Sequence, residues 1–142
     1  YRLRFNSVSA FGRFFKKLFT RNTPAKDTGD RGESAAARFL KKRGMKIAAR
    51  NYRCGRHEVD IIAFDGDCAV FVEVKTRSEN SVVDGYYAAL SQAKKRSVKH
   101  CAKRFLASVR PRPASWRYDV VDVRILENSG KETISHFENV PI

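Results

Sequence analysis

Apolar positions along the chain fall into blocks with different periods. Phe11, Phe14, Phe15, Leu18 and Phe19 recur at three- and four-residue spacing, which stripes one face of a helix. From Thr23 to Gly32 the pattern breaks, with Pro24, Gly29, Gly32 and mixed charge, and predicts a linker. A helix is predicted from Glu33, where Ala36, Ala37, Leu40 and Met45 form an apolar stripe with Phe39 beside it. Lys41, Lys42 and Arg43 ahead of Gly44 are the basic residues and glycine that favour a helix C-terminus. Residues 46–52 read as a strand. Residues 57–64 and 68–76, rich in Val, Ile and Phe, read as two more, joined by the hairpin turn Asp65-Gly66-Asp67. A long helix is predicted over 85–109, with Val98, Cys101, Ala102, Phe105, Leu106 and Val109 at core spacing and Pro111 and Pro113 ending it. Residues 117–126 alternate as a strand, and Asn128-Ser129-Gly130 turns the chain into a last strand at 132–140. After the first stripe the order is α-β-β-β-α-β-β. It predicts an α/β fold in which helices pack on a mixed sheet. The expected organisation is an arm over 1–26 and one domain over 29–142.

Charge changes the picture. The 142 residues carry 29 Lys+Arg against 15 Asp+Glu, a formal net charge of +14. A balance this basic favours a polyanionic partner, DNA, RNA or an anionic membrane surface, without choosing among them. Residues 1–26 contain no acid and seven basic residues. Three readings compete for this arm: a basic tail, a nucleic-acid-binding arm, and an amphipathic helix on a membrane surface or in a targeting segment. The helix predicted over 85–109 is also free of acids. The opening Tyr1 in place of Met predicts that the native start lies upstream. Cys54, Cys68 and Cys101 are odd in number, widely spaced and without a CxxC, which predicts reduced thiols in the cytoplasm rather than a disulfide framework or a zinc site. His57, His100 and His136 do not cluster in sequence.

Against that positive background, Glu58-Val59-Asp60 and Glu73-Val74-Lys75 flank the hairpin turn. Side chains alternate along a strand, so Glu73 and Lys75 share a face. With Gly66-Asp67 as the loop, Asp60 lies opposite Glu73. With Asp65-Gly66 it lies diagonal to Glu73. A three-residue loop separates the two acids unless a bulge intervenes. Two close carboxylates repel, and a hard divalent cation resolves that conflict. A neighbouring lysine suits a phosphate. The competing reading is a cross-strand salt bridge from Lys75 to an acid on a solvated sheet face.

Gly29-Asp30-Arg31-Gly32-Glu33-Ser34-Ala35-Ala36, Asn51-Tyr52-Arg53, His57-Glu58-Val59-Asp60-Ile61-Ile62-Ala63, Val70-Phe71-Val72-Glu73-Val74-Lys75-Thr76-Arg77 and Arg117-Tyr118-Asp119-Val120-Val121 together resemble the YraN family of small bacterial proteins. That family is similar to archaeal Holliday-junction resolvases and to the PD-(D/E)xK, restriction-endonuclease-like superfamily. The resemblance covers about Gly29 to Asn139. It implies a restriction-endonuclease-like sheet with an α-β-β-β-α-β core and a Mg²⁺- or Mn²⁺-dependent endonuclease acting on DNA, structured or branched DNA first. Asp60, Glu73 and Lys75 would be catalytic. Asp60, Glu73, Glu33 and the Val74 carbonyl would hold the metal. Glu58, His57 and Gln92 would support them, and Lys94, Lys95, Arg96, Lys99 and Arg77 would contact nucleic acid. A homodimer is implied by the resolvase likeness. At His57 the family usually has glycine, so a side chain here borders the site. Among the remaining residues, Asp119 is expected to be structural, pairing with Arg117 or a neighbouring strand, and Trp116 and Tyr118 to pack in the core or at its rim. The alternative function is a nucleic-acid-binding module on a nuclease-like fold, with little or no catalysis.

Overall fold

The computed structural model describes residues 24–78, 91–126 and 128–142. The arm predicted over 1–26 lies almost wholly outside them, as does the beginning of the helix predicted from residue 85. The described elements are α1 (Pro24–Lys42), β1 (Lys46–Cys54), β2 (His57–Asp65), β3 (Cys68–Ser78), α2 (Gln92–Ser108), β4 (Ser115–Ile125) and β5 (Glu132–Phe137). The α/β class and the order of elements are those the sequence predicts.

The five strands form one mixed sheet in the order β1-β2-β3-β4-β5. β1, β2 and β3 run antiparallel in succession, β3 and β4 pair in parallel, and β4 and β5 are antiparallel. Such a mixed sheet flanked by helices is consistent with a restriction-endonuclease-like fold. Parallel pairing needs a crossover, and α2 lies on it. Asp65 pairs with Cys68, so the β2–β3 loop is Gly66-Asp67. Gly66 adopts φ 56°, a left-handed value that glycine takes without steric cost.

Each helix covers one face of the sheet. Under α2 lie Val59, Ile62, Phe71, Tyr118 and Val120, against Val98, Cys101 and Ala102. Under α1 lie Ile61, Ala63, Val70, Val72, Val121 and Val123, against Ala35, Ala36, Ala37 and Leu40. β3 therefore alternates between two cores, Phe71 toward one and Val70 and Val72 toward the other. Cys54 and Cys101 are free thiols buried in the α2 core. Burial and the neighbouring Cys54 push the Cys101 thiol up to about 11, which keeps it protonated and unreactive.

Three boundaries differ from expectation. Of the segment predicted as a linker, 23–32, residues 24–32 form the first half of α1. Pro24 sits in the first turn, where it lacks no hydrogen bond the helix needs. Gly32 is buried because α1 presses directly on β3: a Cβ there would lie 1.8 Å from Thr76 Oγ1. Close packing, not flexibility, explains that glycine. The last strand ends at Phe137 rather than 140, since Asn139 turns the chain with φ 52°. Val140 N–H still bonds the Tyr118 carbonyl at 2.7 Å. α2 begins at Gln92 after Ser91, whose side chain accepts from the Lys94 N–H.

Asp119 is fully buried and held by Arg117, by His136 Nε2 at 2.9 Å and by the Asn139 N–H. Those donors hold its carboxyl below the ordinary value despite burial. This confirms the expected structural pairing with Arg117.

Candidate active site

β2 and β3 stay paired only as far as Ile61 and Val72. Beyond that point the strands part, and Asp60 fills the gap. Its Oδ2 accepts the Val74 N–H at 2.7 Å, replacing the lost ladder bond. A residue's N–H and C=O leave a strand on the same edge, so the Val74 carbonyl is directed to the same side as Asp60. Strict alternation fails here: Val59 and Ile62, three residues apart, share the α2 core. Opposite Asp60 in β1, Asn51 has φ 51°, a value asparagine tolerates better than most residues. The local irregularity lies on both strands beside the carboxylate.

Glu73 is buried at 3 % exposure. Its Oε1 accepts from Lys75 Nζ at 3.0 Å, and its Oε2 lies 2.6 Å from Lys94 Nζ. The same Lys94 nitrogen is 3.8 Å from Asp60 Oδ1. One ammonium from α2 thus sits between two carboxylates. Burial first, and then the charge of Glu73, push the Asp60 carboxyl up to about 6, although the Val74 N–H and Lys94 oppose the shift. The same two acids raise the Lys94 ammonium above its ordinary value against its own desolvation. Beneath them is the Tyr118 hydroxyl, buried and without a hydrogen-bond partner. Burial, Glu73 and Asp60 all keep its phenol neutral.

The other predicted residues are distributed around this pair. Glu33 is on α1, across the sheet from Lys94. It lies 3.7 Å from Arg50 and borders a cleft of about 430 Å³ with Val74 and Thr76. Its carboxyl is raised, chiefly by burial, with Asn51 and Arg50 opposing. Among the described residues no three His, Cys, Asp or Glu side chains converge closely enough to hold an ion together. Of the expected metal set, Asp60 and Glu73 share Lys94 at the seam, while Glu33 on α1 borders the Val74 cleft and its charge helps raise Asp60. Glu58 pairs with Arg53 at 2.9 Å, not with Lys75, and its N–H bonds Ser97. The His57 ring lies 4.7 Å from that of His100, and its pKa is lowered. Gln92 is exposed at the start of α2. Arg77 bonds Asp122 at 3.1 Å. Lys95 is half-buried, whereas Arg96 and Lys99 are exposed. The salt bridge of Lys75 is not cross-strand on a solvated face: it joins the buried Glu73 of its own strand.

Lys94, expected at a phosphate, instead neutralises the carboxylates. Arg50 was not singled out by the sequence, and Asn51 entered only within the Asn51-Tyr52-Arg53 motif, with no role given to it. An asparagine inside a strand segment is their only local signal. Tyr118 is core and Trp116 lies at its rim, part-exposed and packed on Phe71, as expected.

A pair of carboxylates facing one positive point suits a hard divalent cation, which needs only one or two carboxylates and keeps its waters. No helix among the described residues is long and apolar enough to cross a membrane.

Residues 32–123 match the model of the uncharacterised protein family UPF0102. A UPF0102 protein of Caldicellulosiruptor saccharolyticus is 43% identical over 99 residues, covering 69% of this chain and 82% of that protein. One from Chlorobaculum tepidum is 42% identical over 99 residues, covering 69% and 75%. One from Alkaliphilus oremlandii is 38% identical over 120 residues, covering 80% and 97%.

Proposed function

We infer that this chain, which belongs to the uncharacterised protein family UPF0102 (YraN), is a nucleic-acid phosphodiesterase that cuts DNA internally with a divalent cation. The observation that carries this reading is the single positive point shared by Asp60 and Glu73 where β2 and β3 part. Asp60, Glu73 and the Val74 carbonyl would hold Mg²⁺ or Mn²⁺. When bound, the ion would polarise the scissile phosphate and acidify a water.

The chain's own residues supply the rest. Lys75 is 32% exposed at its side chain, so its ammonium reaches solvent while Glu73 fixes its position. It would bind a non-bridging phosphate oxygen as a compact charge. Lys94 holds the two acids together and would move off them toward the phosphate when a cation takes its place. Tyr118 supplies a neutral hydroxyl from below. Structured or branched DNA is the preferred substrate in this proposal, on the resolvase likeness alone, as is a homodimer. The free cysteines suit a reducing cytoplasm.

A second reading has its own observation. Lys94 already neutralises both acids, and Glu33 is paired with Arg50. A binding module without catalysis would keep that arrangement permanently.

Cleavage of junction, flap, single-stranded and duplex DNA with and without Mn²⁺ separates the two. Metal-dependent cuts that vanish in Lys75→Ala are expected for the enzyme. Calorimetry with Mn²⁺ on the wild type and Asp60→Ala gives the independent check. Equal weak heats from both proteins, with no cleavage, would leave only the binding module.

A further inference from the structure

On the α2 side of the molecule, away from the carboxylate pair, lies a groove of about 450 Å³. Lys99, Lys103, Leu106 and Arg110 line it from one face of α2 and the turn that follows, at spacings of four, three and four residues. Arg112 and Trp116 close the other side. No acidic side chain lines it. Lys95 precedes this stripe by four residues and is the neighbour of Lys94, so the basic face runs back to the carboxylates.

Trp116 is the one large apolar side chain strongly exposed among the described residues, at 43%. It is not loose. Its ring packs edge-on against Phe71 at 5.9 Å and 84°. Phe71 is fully buried in the α2 core, so the indole is fixed at one edge with part of its surface open. Burying that surface elsewhere in the domain would have been favourable, and four cations around it have no apolar role.

We propose that this groove binds an unpaired segment of nucleic acid, with a base stacked on Trp116 and its phosphates on Lys99, Lys103 and Arg112. Aromatic platforms inside basic grooves hold single strands because every base has a stacking face and every phosphate a charge. Duplex DNA keeps its bases stacked on one another and offers none to the indole. Lys94 and Lys103 are nine residues apart on a helix rising about 1.5 Å per residue, so about 14 Å separates them. At roughly 3.4 Å per stacked nucleotide, that is about four nucleotides from the carboxylates. The substrate so described has a single-stranded stretch beside the cut. An anionic membrane fits less well, since the indole sits in a concavity rather than on a protruding edge. The inference rests on the nucleic-acid part of the proposed function and is independent of its chemistry.

Trp116 is the sole tryptophan of the chain, so its emission reports on this groove alone. The full chain is titrated in EDTA, where cleavage is silent, with oligothymidylate long enough to reach from the carboxylates to the groove. Saturable quenching is expected, and little from a blunt duplex of equal phosphate number. By anisotropy, Trp116→Ala should weaken single-strand binding at least about fivefold. Trp116→Phe should restore most of it, and duplex affinity should change less than about twofold. Lys103→Glu, at an exposed helix position, should weaken single-strand binding without relying on the indole. No quenching, equal quenching by polyphosphate or by phosphatidylserine vesicles, or equal losses on single strand and duplex would overturn the proposal. Quenching without any metal-dependent cleavage would sink the hydrolase reading and leave the groove; cleavage without quenching would do the reverse.

Discussion

Asp60 is the residue on which stability and chemistry oppose each other. Folding buries its carboxyl beside Glu73 and raises it from 3.8 to about 6. Below about pH 4 both folded and unfolded states hold the proton and nothing is lost. Between about 4 and 6 the unfolded chain releases its proton first, so stability falls as pH rises, by about 2–3 kcal/mol in all. Asp60→Asn should therefore match the wild type in urea near pH 4 and exceed it by about 2 kcal/mol at pH 8. A variant less stable at pH 8 would contradict the burial account. Cation affinity should move oppositely, weakening below about pH 6 as Asp60 takes up a proton. Much of this residue's setting was legible in the sequence. The turn glycine and the Val-rich flanks placed the hairpin, and both two-residue loops put Asp60 and Glu73 on one face; the choice of Gly66-Asp67 came from the pairing of Asp65 with Cys68. Lys94 was not legible in that role, because it lies 21 residues beyond Glu73 and only the docking of α2 brings its long side chain back. The departure from alternation at Asp60 was equally hidden, since it depends on where two strands cease to pair.

At the scale of elements, α1 shows how a local rule fails. Gly29, Gly32 and Pro24 are breakers when read along the chain, yet all three lie within one helix. What overrides propensity is the contact with β3, which leaves no room for a Cβ at Gly32. Gly32→Ala sets two effects against each other. Helix propensity gains about 1 kcal/mol, while overpacking typically costs 1–3 kcal/mol. With Thr76 Oγ1 at 1.8 Å and Thr76 Cβ at 2.7 Å from the added methyl, the clash is with a short, stiff side chain and should win. A lowered melting temperature is expected, and an unchanged or higher one would show that α1 can shift without cost. The helix face was easier to read than its start: Ala36, Ala37 and Leu40 are buried as their spacing predicts. Glu33 lies one turn from that face, and its separation from Glu73 by the sheet follows from helix orientation, which no local pattern encodes.

For the whole molecule, the net charge is +14, and α2 carries a share of it on an exposed face. Arg96, Lys99, Lys103 and Arg104 are exposed on the helix that also carries Lys94. If about five phosphates are neutralised, log K for duplex DNA should fall with log salt at a slope near −4 to −5. Anisotropy titrations from 50 to 200 mM salt, taken as a rough working range, measure it. A flat response would remove the α2 face as a phosphate surface. Composition alone points to a polyanionic partner, without choosing its class. The position of Trp116 at the open end of the same face came only from the fold.

β3 carries Glu73 and Lys75, and it is the central strand, paired on both sides as far as Val72 and buried from Ala69 to Glu73. Its backbone amides have no partial opening available that leaves the two cores intact. Those of Val70, Val72 and Glu73 should be among the slowest to exchange with deuterium, at rates set by global unfolding. The floor of the site is thus as durable as the protein itself, and any adaptation to a ligand must come from the lysines above it.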